Sequence, residues 1–184
     1  MQHNGGYSPP FLFGGDSVEK TKIKELVSNI EQSLKSYKSN PSITSKAKLK
    51  CAQVGNVLAI QQNTMKNSVF SDLANAGIEV VQLLLVEESY KKPVYLGVKI
   101  GNYIYFYFSA IKRVFGVNPQ TIYEYTASLK VNYLDSSSNR YDMHTCELDK
   151  KPIMLIIQDK IQHSSTILIE LTVFIDMIGG VKDE

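Results

Sequence analysis

The chain of 184 residues has no tryptophan, three histidines and two cysteines. Each shortage removes a class of function. Two thiols far apart, Cys51 and Cys146, cannot build the disulfide framework of a small secreted domain, which points to a reducing compartment. They also lack the paired spacing of a structural zinc site. With so few histidines, general acid–base chemistry would rest on carboxylates, and these show no paired pattern. No arginine precedes Arg113, and arginine is the usual base-reading side chain, so sequence-specific nucleic-acid recognition is disfavoured. No apolar run approaches the roughly 18–20 residues of a membrane span. The N-terminus lacks a basic segment followed by an apolar one. The expectation is a soluble, intracellular, cytoplasmic protein. There is no G-x-S-x-G, no H-E-x-x-H and no glycine-rich dinucleotide turn. No cofactor is expected.

What is present is ordinary globular material: 43% hydrophobic and 21% charged residues, enough for a core without staples. The net charge of +2 creates no global field. Its distribution is uneven. Residues 1–50 hold eight lysines against four acids, and residues 51–184 hold twelve basic against fourteen acidic residues, giving +4 and −2.

Residues 1–15 read as a flexible arm, with Gly5-Gly6, Pro9-Pro10 and Gly14-Gly15 around Phe11-Leu12-Phe13. Asp16 or Ser17 can cap a first helix whose stripe is Ile23, Leu26, Val27, Ile30, Leu34 and Tyr37. Asn40-Pro41 stops it. A second helix is expected over residues 42–62, weakened by Gly55. Residues 71–90 read as a third helix, although the run from Ile78 to Val86 also suits a fully buried strand. From Val94 the period becomes two, with a hairpin over residues 94–108 turning at Gly101-Asn102. A short helical turn is expected near residues 111–115. Alternation then gives a strand over residues 123–133, a hairpin into residues 140–148, a strand over 153–158, and a long last strand carrying Ile167, Ile169, Leu171, Val173 and Ile175. The sum is an α+β fold in one domain, residues 16–178. Two or three N-terminal helices (16–92) would pack on an antiparallel sheet or small sandwich of about six strands (93–178), with a short tail at 179–184.

Three groups of side chains stand out. Asp142, His144 and Cys146 share one strand face, but at i, i+2 and i+4 their spacing is poor for one metal, and an ordinary polar face is the preferred reading. Lys20, Lys22, Lys24, Lys35 and Lys38 offer low-specificity anion contact, to phosphates or acidic headgroups. In the strand Tyr103–Phe108, Tyr103, Tyr105 and Tyr107 lie on one face. They either cover the protein's own second face or, with Phe11, Leu12 and Phe13, form a protein interface. Gly14-Gly15-Asp16-Ser17 lacks the lysine and spacing of a phosphate loop and reads as a hinge and cap.

These residues suit contact more than chemistry. The expected function is that of a non-enzymatic structural or assembly protein, acting by self-association or as a subunit of a larger particle. A docking arm, a β-rich body and a local basic surface are properties shared with small viral matrix or coat-associated proteins, an analogy of physics alone. The second reading is a nucleic-acid or acidic-membrane binding module using the lysine-rich helices. An enzyme with a site gathered from distant residues ranks third, and no small-molecule substrate is evident.

Overall fold

The computed structural model describes residues 17–39, 50–61, 69–130, 132–137 and 141–179. Within them the chain runs α1 (Ser17–Ser39), β1 (Cys51–Val54), β2 (Val57–Gln61), α2 (Val69–Asn75), β3 (Val80–Leu85), β4 (Val94–Ile100), β5 (Tyr103–Tyr107), α3 (Phe108–Phe115), α4 (Pro119–Ser128), β6 (Asn132–Ser137), β7 (Tyr141–Leu148), β8 (Lys151–Asp159), β9 (Ser164–Glu170) and α5 (Leu171–Met177). The nine strands form one antiparallel sheet in the order β1-β2-β3-β4-β5-β9-β8-β7-β6. Strand β9 therefore crosses back to join β5, and this one pairing welds an early meander to a late one.

Helix α1 forms where its stripe predicts. Leu26, Ile30, Leu34 and Tyr37 are buried, with Ile23 and Val27 half-buried beside them. It lies on the β1–β2 hairpin. Gly55 turns that hairpin at φ +55°, and a Cβ there would sit 2.5–2.9 Å from the Asn29 side chain, so helix and turn touch with no room for a larger residue. Asn29 Nδ2 also donates to Asn56 Oδ1 at 3.1 Å.

Register assigns the two faces of the central strands, because directly paired residues point the same way. Phe106 pairs with Ile169 on one face. There its ring meets Phe115 of α3 at 6.2 Å and Phe174 of α5 at 5.7 Å. On the other face Tyr105 pairs with Glu170, and Tyr107 with Leu168. The Tyr107 ring is edge-on to Phe70 of α2 at 6.4 Å. The core thus extends to both sides of β5.

Several expectations are corrected. Residues 51–61 are a hairpin, not part of a helix; the glycine that weakens a helix is here the turn that makes two strands. The remainder of that span, residues 42–49 and 62, lies outside the described residues. Residues 71–90 divide into the end of α2 and then β3, whose six residues are all buried, so the strand reading of the apolar run is the right one. Of the strand expected over residues 123–133, residues 123–128 belong to helix α4, and residues 132–133 open β6. Asn118 accepts from the Gln120 N–H as N-cap, and Pro119 occupies the first helical turn. Ile122 and Thr126, one turn apart, are its buried positions.

The long last strand ends at Glu170, and Leu171, Val173 and Phe174 continue as buried positions of α5. Among the described residues the sheet has nine strands where about six are expected. It begins at Cys51, before residue 93, with helices interleaved instead of gathered at the N-terminus. Helix α1, the β4–β5 hairpin, α3, β7 and β8 stand where the sequence puts them, whereas β6 (Asn132–Ser137) begins at the end of the strand expected over 123–133.

Candidate functional site

The tyrosine strand is absorbed mostly by the protein's own fold. Tyr105 is 2% exposed and Tyr107 9%, whereas Tyr103, at the turn end of β5, is 36% exposed. Gln82 Nε2 donates to the Tyr107 hydroxyl at 2.9 Å. Burial pushes the Tyr107 phenol up to about 12, against the lowering effect of the Gln82 hydrogen bond. Burial likewise raises Tyr105, with the carboxylate of Glu170 and then Tyr103 adding to the rise.

Glu170 stands at the junction of β9 and α5. Its Oε2 accepts from the Val173 N–H at 3.1 Å, from the Thr172 hydroxyl at 2.5 Å and from Lys151, 3.2 Å away. Lys151 also donates to the Thr172 hydroxyl. One carboxylate therefore caps a helix, takes a cation's charge and fixes the end of the tyrosine face. Sequence alternation misses it. A strand through residue 175 places Glu170 on a solvent face, and the available signal was its position three residues before Val173, where an N-cap acceptor belongs.

A second buried charge lies on β4. Lys99, 8% exposed, donates to Glu79 Oε2 at 2.9 Å and to the Gly101 carbonyl at 2.6 Å, tying the β4–β5 turn to the entry of β3. The lysine hydrogen bond holds the Glu79 carboxyl below its ordinary range against the opposing effect of burial, and the charges of Lys99, Lys38 and Lys50 add to the lowering. This pair locks a turn.

The lysines of α1 are all exposed. They are not one group, however. Lys22 lines a cavity of about 270 Å³ with Glu25, Leu26, Asn56, Leu85, Glu87 and Val114, where α1 and α3 meet the end of β3. Asn56 Nδ2 donates to Glu87 Oε1 at 2.8 Å within that lining. The other four lysines lie on the opposite flank of the helix.

On β7, register puts Cys146 opposite Met154, and His144 opposite Ile156. Cys146 is buried, which raises its thiol pKa, and His144 is half-buried. The side chain of Asp142 lies outside the described residues, as do Phe11, Leu12 and Phe13. Among the described residues no three His, Cys, Asp or Glu side chains gather as a metal site would require. Among them also, no helix is long and apolar enough to cross a membrane.

Two large apolar side chains remain exposed beside the β4–β5 turn. Ile78, two residues before the Val80–Ile100 pair, is 40% exposed, and Tyr103 pairs with that same Ile100. At the sheet margin, β1 pairs with β2 alone among the described residues. No protein-family model, curated protein or solved structure matches this chain.

Proposed function

We propose that the protein is a non-enzymatic structural or assembly protein that acts by self-association or as a subunit of a larger particle. The observation that carries this reading is the margin of the sheet at β1. The two-residue turn Gly55-Asn56 makes Val54 and Val57 the closing pair of the hairpin. Gln53 then turns its backbone N–H and C=O groups away from β2, and its side chain is exposed. An edge strand with outward amide groups is a template for another strand. Tyr103 and Ile78 add apolar surface of the kind interfaces use. Phe11, Leu12 and Phe13 add three consecutive large apolar residues to the sequence available for such contact.

Sedimentation velocity over a range of concentrations tests the reading on three chains: the full protein, one lacking residues 1–15, and Gln53→Pro. Proline at residue 53 removes an outward N–H and leaves the β1–β2 ladder intact. Concentration-dependent association of the full chain, weakened in at least one of the other two, supports the proposal. A full chain that stays monomeric at every concentration overturns it.

A further inference from the structure

We propose that one flank of α1 is a binding surface for a nucleic-acid phosphate backbone, contacted without regard to sequence. The surface is defined by helical spacing. Residues 20, 24, 31, 35 and 38 are separated by four, seven, four and three positions, so at 3.6 residues per turn they fall within roughly 60° of one another around the axis. All five are exposed. Four are lysines, Lys20, Lys24, Lys35 and Lys38, and the fifth is Glu31. The stripe is about 27 Å long at 1.5 Å per residue.

Its form selects the partner. The crest of the helix, opposite the buried Leu26, Ile30 and Leu34, carries Thr21, Glu25, Ser28 and Gln32. A flat bilayer pressed on α1 would meet that neutral-to-acidic crest. The apolar stripe an interfacial helix inserts into lipid is already spent on the sheet. A rod-shaped polyanion can instead lie along the flank and meet four cations in line. Duplex DNA presents a phosphate every 3.4 Å per strand along its axis, roughly eight over the length of the stripe. The flank has lysine and no arginine or aromatic residue, so it offers charge without base reading or stacking. Lys22, on the far side of the helix against the cavity, belongs to a different surface.

Fluorescence anisotropy with labelled 20-base-pair DNA and RNA duplexes of mixed sequence tests the assignment on the full chain at 50 and 200 mM salt. With four phosphate contacts, affinity should fall on the order of 10²-fold between the two conditions. Changing Lys20, Lys24, Lys35 and Lys38 together to Gln should abolish binding at 50 mM. Lys22→Gln should leave affinity within about twofold, and Glu31→Gln should tighten it several-fold, a gain that no loss of folding can imitate. The proposal is overturned if neither duplex binds at 50 mM, if anionic phosphatidylserine vesicles bind in their place, or if the four-lysine variant binds like the parent. It stands apart from self-association, since a monomer can bind duplex and an oligomer can fail to.

Discussion

The hydroxyl of Ser33 on α1 bridges the closing pair of the β1–β2 hairpin: it donates to the Val57 carbonyl at 2.8 Å and accepts from the Val54 N–H at 3.0 Å. Ser33 is fully buried. A helix residue thereby completes the hydrogen bonding of a turn more than twenty positions away, and it does so next to the Asn29–Gly55 contact. Ser33→Ala deletes one donor and one acceptor and leaves a buried Val57 carbonyl and a half-buried Val54 N–H to be satisfied otherwise. The expected cost is about 1–3 kcal/mol, read as a lower urea midpoint with unchanged slope. Amide exchange at Val54 should accelerate more than at the β8–β9 pairs. A loss below about 0.5 kcal/mol with unaltered exchange would show that the strands close the gap unaided.

Gly97 lies in the middle of the sheet, opposite both Leu83 and Phe106, beside the register shift at Leu83 and Leu84. A Cβ there would fall 2.1 Å from the Tyr105 carbonyl oxygen and 3.0 Å from Phe106 Cδ1. The first obstacle is backbone in a neighbouring strand and cannot step aside. Gly97→Ala should therefore cost about 3 kcal/mol or more, lowering Tm by roughly 6–12 °C for a chain of this size. Gly116 supplies the comparison. It ends α3 at φ +68° with nothing within 4 Å of its missing Cβ, so Gly116→Ala meets only backbone strain of about 1–2 kcal/mol. Equal Tm losses in the two variants would contradict the close approach of β4 to β5.

These two sites show why the sequence was legible in parts. Where one periodicity stands alone, as in the α1 stripe or the β4–β5 hairpin, the element is where the pattern puts it. Where two periodicities coincide, tertiary contacts decide. Tyr123, Tyr125 and Ala127 alternate as a strand would, yet Ile122 and Thr126 also stand one helical turn apart, and the Asn118-Pro119 cap selects helix. Leu171, Val173 and Ile175 continue the alternation of β9, but Glu170 caps Val173 and turns the chain into α5.

Gly55 was visible as a defect in a helix; only the touch of Asn29 marks it as a hairpin turn. Among the candidate contact residues, Tyr105 and Tyr107 share one face of β5, as their alternation with Phe106 implies. Its burial depends on Gln82, Glu170 and Phe70, which lie 25, 65 and 37 positions from their partners Tyr107, Tyr105 and Tyr107. No local pattern announces such pairs.

The tyrosine face also sets a response to alkali. The phenol of Tyr107 is pushed up to about 12 from its ordinary value of 10. Between those values the unfolded chain releases a proton that the folded chain keeps. Stability from the neutral phenol is therefore whole below pH 10 and is lost as pH rises through 12. At pH 11 the loss attributable to this group is about 1.4 kcal/mol. Tyr105, raised in the same direction, steepens the fall.

Tyr107→Phe alone would remove the titration but strip Gln82 of the hydrogen bond its Nε2 makes, and among the described residues its buried Oε1 has no partner. The informative protein is the double variant Gln82→Leu with Tyr107→Phe, which removes both ends of the hydrogen bond. Urea midpoints of the parent and the double variant are to be compared from pH 8 to pH 11. The two curves should run parallel to about pH 10 and then separate, the parent losing stability faster. Curves that stay parallel to pH 11 would mean that the Tyr107 hydroxyl ionises as freely in the fold as in the unfolded chain, and the buried face would have to be wetter than its packing allows.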